Sequence, residues 1–405
     1  MLHIYRHPLH LLYLTAGVIF SYVFFISLMN EGQPKKLSIA IVDNDASVVS
    51  RELCHNLESM PGVSVKNVYN NHTEARKALQ KQEIYAFLEI PDGTNQKVQA
   101  LQAPTIHIYL DQTHVLTGSL SFQSLLTMCN MAAGAAQREI LRMKGYTDEA
   151  IMGLIQPITL DTHKIGNPLA NYSSYLLTTL LPGILGLQVL LLTIYVIGSE
   201  QKRSTSYDWL ATAGDNIVVA LLGKLLPYTI WFLLLQEIGM LVLFAGLEFP
   251  MNGSFLTLLT SSLLYVLAMQ GMGVALVALI PELRTSISFG TFLGVWGFSL
   301  SGFTYPATNM LGPAQAITYL FPLRHYYLIY VNEAIFGGGF WQSVPYMMFL
   351  LCFVLLPVPV LKRLNTNILL PNSESRGLAP VLPEANYSEA PSPGASIPDS
   401  VPDTK

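Results

Sequence analysis

Six apolar runs, each long enough to cross a bilayer, constrain this chain more than any motif it contains. Residues 9–29 hold no charged side chain, and about 21 residues at a rise of ~1.5 Å cover a hydrocarbon core of ~30 Å. Five further candidate spans follow, at about residues 175–197, 225–247, 255–280, 286–306 and 344–361. Inside lipid every backbone polar group must be paired within its own segment, so runs of this length read as helices. Composition agrees: 51% of the 405 residues are hydrophobic and 12% are charged, against roughly 25% charged in soluble domains. The net charge of −4 is gathered into no long run, which gives nucleic acid no footing as a partner.

Charge placement orients the spans. Arg6 holds the short N-terminus in the cytoplasm, and Lys202, Arg203, Arg284, Lys362 and Arg363 then fall on cytoplasmic ends, whereas the predicted outer loop 248–254 has neither Lys nor Arg. Both termini are thereby predicted inside. No small-x-small cleavage site follows the first run in Met29-Asn30-Glu31-Gly32, so it reads as an uncleaved signal anchor, with a cleaved leader as the alternative.

Residues 31–167 change character. Short β-rich runs at 37–42 and 105–110 alternate with helical patterns at 47–60 and 73–80, the first placing Val48, Leu53 and Leu57 on one side. A longer helix is predicted from Val115 to Met143, stopped at Lys144-Gly145, with residues 157–164 leading back to the membrane. Strands alternating with helices predict an α/β domain. The fold class expected is therefore an α-helical polytopic membrane protein of about six transmembrane helices, with an extracytoplasmic α/β domain inserted between the first and second spans. The predicted domains are 1–30, 31–167, a bundle over 168–363, and a disordered cytoplasmic tail over 364–405, rich in Pro, Ser and acidic residues. Within the bundle, residues 307–341 are too polar for a span and too apolar for a solvated loop, and read as re-entrant or interfacial helices on the outer side.

The loop after the second span, 199–216, is the most informative stretch. Charged residues precede Tyr207-Asp208-Trp209-Leu210, a turn suited to lie flat in the interface and dock a cytosolic partner; the plainer reading is a positive-inside loop with an interfacial tryptophan. Glu237, beside Gln236 in the third span, sits where a lone charge costs at least about 2.5–3.5 kcal/mol, so it should face protein or a wet cavity, either on a substrate path or in a structural hydrogen bond. Arg324 and Glu333 either pair and brace the outer segment or lie exposed on it. Gly290, Gly294 and Gly297 allow close helix approach, for a dimer or within one chain. Gly337-Gly338-Gly339 reads as a turn, and His3, His7 and His10 as a headgroup-level helix before a metal site. Cys54, Cys129 and Cys352 lack metal-ligand spacing, and although Cys54 and Cys129 could bridge, free thiols are expected. No HExxH, GxSxG or paired-carboxylate motif supports catalysis.

The loop and its flanks resemble the type-2 ABC exporter permeases, inner-membrane subunits of bacterial multidrug and polysaccharide exporters. In that family an acidic residue, a Gly-Thr pair and an acid-x-Leu turn form the coupling helix, and Gly-Lys-x-x-Pro opens the next span. Glu200, Thr205, Asp208, Leu210, Gly223, Lys224 and Pro227 match, with Trp209 inside the turn; Ser204 stands where the family has glycine, and Ala213-Gly214 where it has Thr-Pro. Residues 42–47 and 50–53 look like the opening strand and helix of the family's extracytoplasmic domain, 90–93 like its later turn, and Asn167-Pro168 also fits. Ser301, Gly302 and Pro306, then Pro322 and Arg324, are similar to the outer gate region.

The resemblance implies a cytosolic ABC ATPase gripping the coupling helix, a second permease copy or paralogue forming a dimer, and in some systems a periplasmic adaptor. ATP and Mg²⁺ would bind the partner ATPase and no cofactor this chain, since Gly223-Lys224 lacks both the upstream glycine and the following Ser/Thr of a P-loop. The expected function is export of a hydrophobic or amphipathic substrate across the inner membrane. A membrane-anchored receptor or scaffold, whose α/β domain binds an envelope ligand or partner, shares the same topology; a membrane enzyme would need an acid/base or metal cluster that the sequence does not offer.

Overall fold

The computed structural model describes residues 15–100, 102–156, 161, 163, 166–167 and 171–369. His3, Arg6, His7, His10, Pro168 and most of residues 364–405 and 157–164 lie outside them. The first element, α1 (Gly17–Leu28), turns Val18 and Tyr22 inward and leaves Phe20, Val23 and Leu28 exposed.

A four-stranded sheet follows, built from β1 (Leu37–Asp43), β2 (Val63–Tyr69), β3 (Ala86–Ile90) and β4 (His107–Leu110) in the order β2-β1-β3-β4. β1 runs parallel to β2 and β3, and β4 is antiparallel to β3, with Phe87 opposite Tyr109 and their rings stacked at 4.6 Å. Central β1 is buried almost throughout, as a parallel strand covered on both faces must be. On one face Ile39, Ile41 and Leu88 meet Leu53 and Leu57 of α2 (Val48–Glu58) and Leu125 of a later helix, α5 (Val115–Met143). On the other, Ala40, Val42 and Phe87 meet Ala75 and Ala78 of α3 (His72–Gln80). The short α4 (Thr94–Gln99), the long α5 (Val115–Met143) and α6 (Asp148–Ile155) complete this part of the chain.

Local chemistry sets these boundaries. Ser47 caps α2 by accepting from the Ser50 amide at 3.1 Å, and the Ser50 hydroxyl donates to Asp43 at 2.7 Å. Asp43 also accepts from the amides of Asp45 and Ala46. The Asp43-to-Ser47 stretch is thus a turn that ends β1 and starts α2. Val48 departs from expectation: it is 69% exposed, because the buried side of α2 is the Ser50, Leu53, Leu57 stripe. Cys54 and Cys129 are free and half-buried in the same core. Burial, reinforced by the nearby Asp43 and Glu58 carboxylates, pushes the Cys54 thiol up to about 11, and burial raises Cys129.

The remaining helices are α7 (Tyr172–Lys202), α8 (Ser206–Thr212), α9 (Ile217–Leu241, continued as a π-turn over Val242–Gly246), α10 (Phe255–Leu279), α11 (Leu283–Ser299), α12 (Gly312–Thr318), α13 (Pro322–Tyr330), α14 (Phe340–Leu355) and α15 (Leu361–Leu369). Among the described residues four helical stretches are long and apolar enough to cross a membrane: Tyr172–Lys202, Ile217–Gly246, Phe255–Leu279 and Phe340–Asn367. α7 and α10 form the centre, and α11 lies against α7. Gly290 and Gly294 allow that approach, since a Cβ at either would strike Ile194 or Leu187. These glycines therefore serve packing within the chain.

The second expected span is longer at both ends, as α7, and the sixth begins four residues earlier, as α14; the third and fifth differ for identifiable reasons. The third starts at Ile217 instead of 225, because the Asn216 side chain caps it by accepting from the amides of Val218 and Val219. The fifth ends at Ser299 after 17 residues instead of reaching 306: the chain turns at Gly302, whose φ is +88°. Gly337 and Gly339, at φ +64° and +84°, form the turn before α14.

Candidate coupling turn and bundle interior

α7 ends in Gly198 to Lys202, and the chain must reverse at once to start α8. Ser204 makes the reversal at φ +57°, the left-handed region that a non-glycine residue adopts only under strain. A glycine, which the resemblance leads one to expect here, would adopt this conformation freely. The turn is held by Glu200. Its backbone carbonyl accepts from the Thr205 amide at 3.0 Å, one carboxylate oxygen accepts from the Thr205 hydroxyl, and the other pairs with Lys224 Nζ of α9. Both charged side chains are about 17% exposed, so each depends on the other for much of its solvation.

Lys224 also lies 4.6 Å from the centroid of the Trp209 ring, a cation–π contact that fastens α8 to α9. Leu210 and Ser206 are buried beneath α8, and Trp209 is half-buried. Tyr207, at 72% exposure, and Asp208 face outward. Of the expected docking residues, Glu200, Thr205, Trp209 and Leu210 thus build the turn, while Asp208 is on its free face. Trp209 does not point outward as a docking residue would, because its ring is held over Lys224. Gly223 and Lys224 stand in the second turn of α9 and do not open it, and Pro227 is inside the same helix. A Cβ on Gly223 would meet nothing within 4 Å, so no neighbour demands glycine there. Its carbonyl, four residues before Pro227, loses its helical donor, which makes this turn the natural place for α9 to bend.

The same end of the bundle is stitched by α15. Gln201 donates to the Asn367 carbonyl at 3.0 Å, Asn367 to the Ala278 carbonyl at 3.0 Å, and Arg363 to the Leu279 carbonyl at 3.3 Å. The last two bonds satisfy C-terminal carbonyls of α10 that have no partner within the helix.

Midway along the bundle, Gln236 donates to the Tyr326 hydroxyl at 2.9 Å and accepts from Tyr22 at 3.4 Å, tying α9 to α13 and α1. Tyr326 stacks on Tyr265, whose hydroxyl reaches the Pro182 carbonyl at 2.9 Å. Glu237, one residue on, is half-buried; Ser262 of α10 hydrogen-bonds its carboxylate, and its Oε1 is enclosed without a hydrogen-bond partner among the described residues.

At the opposite end, Ser301 is fully buried and its hydroxyl donates to the Phe298 carbonyl at 2.8 Å. Gly302 packs beside Arg324, which rests 4.8 Å from the Tyr319 ring centroid. Pro322 is buried in the first turn of α13, and Pro306 is exposed at the rim. Arg324 and Glu333 neither pair nor lie exposed; they are 8% and 0% accessible, Arg324 resting on the Tyr319 ring with its Nε unpartnered among the described residues and Glu333 making hydrogen bonds of its own. Glu333 accepts from the Ser343 hydroxyl at 2.7 Å and from the Ser254 amide at 3.2 Å, at the N-terminus of α10, where a helix favours an anion. Their charge suggested surface positions. The partners that make the burial of Glu333 tolerable lie on other elements and leave no local trace.

A family model described as ABC-2 family transporter protein matches residues 11–359, from before α1 to just past the end of α14. The chain belongs to this family. The curated relatives of this ABC-2 protein include the probable multidrug ABC transporter permease YbhR of Escherichia coli (strain K12), 22% identical over 296 residues, which cover 71% of this chain and 75% of that one. The probable multidrug ABC transporter permease YbhS of the same organism is 24% identical over 310 residues, 75% of this chain and 78% of that one. The ABC-2 match runs across the sheet, α8 and the outer segment alike, so the turn built on Glu200 belongs to the matched region and is no appendage to it.

Proposed function

We propose that the chain is the membrane permease subunit of an ABC exporter of the bacterial inner membrane, moving a hydrophobic or amphipathic substrate outward under the drive of a separate cytosolic ATPase. Family membership and relatives named as multidrug permeases support this reading. The observation that carries it is the fastened α8: a short helix pinned from below by Leu210 and by the Glu200–Lys224–Trp209 cluster, presenting Tyr207 and Asp208 to a partner. A force applied to such a helix passes directly into α7 and α9, since the ion pair bridges them. Rigid movement of packed helices then alternates access.

The six-span count, cytoplasmic termini and an extracytoplasmic sheet belong to this proposal. The 31 residues of α7 are about 46 Å long, so a membrane-crossing α7 has the sheet and α8 on opposite sides. Dimerisation with a second permease, and in some assemblies a periplasmic adaptor, completes the proposed complex. ATP and Mg²⁺ would be held by the ATPase.

Purification of the full-length protein from its native membranes tests the proposal. It should bring down an ATPase with a Walker motif, and Asp208→Lys should lower ATP hydrolysis coupled to transport at least tenfold while the permease folds normally. A receptor or scaffold would co-purify with no such ATPase and be indifferent to Asp208→Lys.

A further inference from the structure

Between Arg284 and Glu333 the chain holds a single Asp, Glu, Lys or Arg, which is Arg324. It is 8% exposed and stands third in α13, where the amide dipoles already gather positive charge and favour an anion. No acidic side chain pairs with it among the described residues. Its guanidinium rests on the Tyr319 ring, its Nε is enclosed without a hydrogen-bond partner, and its two terminal nitrogens are neither enclosed nor hydrogen-bonded to a described residue. An aromatic face compensates a cation only in part, and a charge withdrawn this far from water calls for a counter-charge. The accessible end of the side chain thus carries unmet donors.

The position of that end restricts what can meet it. Nη1 approaches the Gly302 turn, 3.4 Å from where a Cβ on Gly302 would stand. Phe303, next in that turn, accepts from the hydroxyl of Tyr175, in the first turn of α7, at 2.9 Å. At about 46 Å, α7 overreaches a ~30 Å hydrocarbon core, so its first turn and the Gly302 turn bonded to it lie at headgroup level. The segment beside them exposes Leu311, Ile317 and Leu320, together with Tyr305 and Tyr319, as a segment laid in the membrane interface does. Exposed apolar side chains beside a fork of unpaired N–H donors match the two halves of a phospholipid, and a guanidinium can meet a phosphate with two parallel bonds.

We infer that Arg324 binds the phosphate of a phospholipid, in the leaflet on the side of the sheet, through Nη1 and Nη2, while the acyl chains lie against Leu311, Ile317 and Leu320. The site requires α7 to cross the membrane. It is independent of the exporter reading and is measured without transport.

The test uses the full-length protein, stripped of lipid in a maltoside detergent that carries no phosphate, and two photoactivatable probes at equal concentration: a phosphatidylglycerol with a diazirine on one acyl chain, and the diacylglycerol with the same chains. Cross-linked peptides are quantified by mass spectrometry. The phospholipid should label residues 300–330 about tenfold more than the diacylglycerol, the lower end of what a hydrogen bond to a charged group supplies. Arg324→Gln should bring the two probes level and leave labelling by the diacylglycerol unchanged. In the unaltered protein, excess unlabelled phosphatidylglycerol should displace the phospholipid probe and millimolar inorganic phosphate should not. Equal labelling by the two probes in the unaltered protein overturns the inference, however the variant behaves, and so does a preference that survives Arg324→Gln. Displacement by inorganic phosphate marks a site for a soluble anion and also overturns it. Absence of a probe preference together with loss of a chemically cross-linked dimer in Arg324→Gln overturns it in favour of a carboxylate from a second copy of the chain.

Discussion

Ser204 is strained by its own Cβ. At φ +57° it occupies a region that costs a non-glycine residue on the order of 1 kcal/mol. Ser204→Gly should therefore raise the thermal unfolding midpoint of the detergent-solubilised protein, by about 1 kcal/mol of stability; a lowered midpoint would mean that the Ser204 side chain contributes more than its backbone loses. Glu237 presents a second residue-scale question. Ser262 of α10 bonds the Glu237 carboxylate while Oε1 is enclosed without a partner among the described residues, a geometry shared by a structural hydrogen bond and by a carboxylate on a substrate path. Glu237→Gln is expected to keep stability and reduce export, and unchanged export with unchanged stability would remove Glu237 from the path. Cys54 gives a pH dependence outside the membrane helices. Its thiol is raised to about 11, so the reactive thiolate is scarce at neutral pH and grows about tenfold per pH unit up to that value. The alkylation rate of the Cys54 peptide by iodoacetamide should still be climbing between pH 8.5 and pH 9.5, and a plateau near pH 8.5 would contradict the burial.

Elements reveal which signals the sequence carried. The bounds of α5 were legible at both ends, because Lys144-Gly145 stops a helix by local means and Gly145 adopts φ +83°. The start of α9 was not, since Gly223, Lys224 and Pro227 resemble a boundary while the true signal, Asn216, is a single capping residue nine positions before the expected start. Glu200, Asp208, Leu210 and Lys224 could be picked out by pattern, but not their division of labour. That depends on a bond between α7 and α9 across 24 residues. The bond gives a test at this scale. Lys224→Met should destabilise the protein by about 3 kcal/mol, because it leaves Glu200 largely buried without its counter-charge. Adding Glu200→Gln should restore most of the loss. Failure of the double variant to recover would show that Lys224 acts chiefly through Trp209.

At the scale of the whole molecule, the apolar runs made a membrane bundle legible, and alternating strands and helices made the sheet legible. The arrangement inside the bundle was not, for it rests on pairs such as Glu333 with Ser254 and Gln236 with Tyr326 that join distant parts of the chain. α7 sets the overall geometry, with the sheet joined to one end and α8 to the other. The account rests on α8 facing the cytosol, where an ATPase can grip it. A single cysteine in place of exposed Lys202, in a background lacking the native cysteines, decides this with a membrane-impermeant maleimide. Labelling should occur in inside-out vesicles and fail in intact cells; labelling of intact cells would place α8 outside and contradict the account.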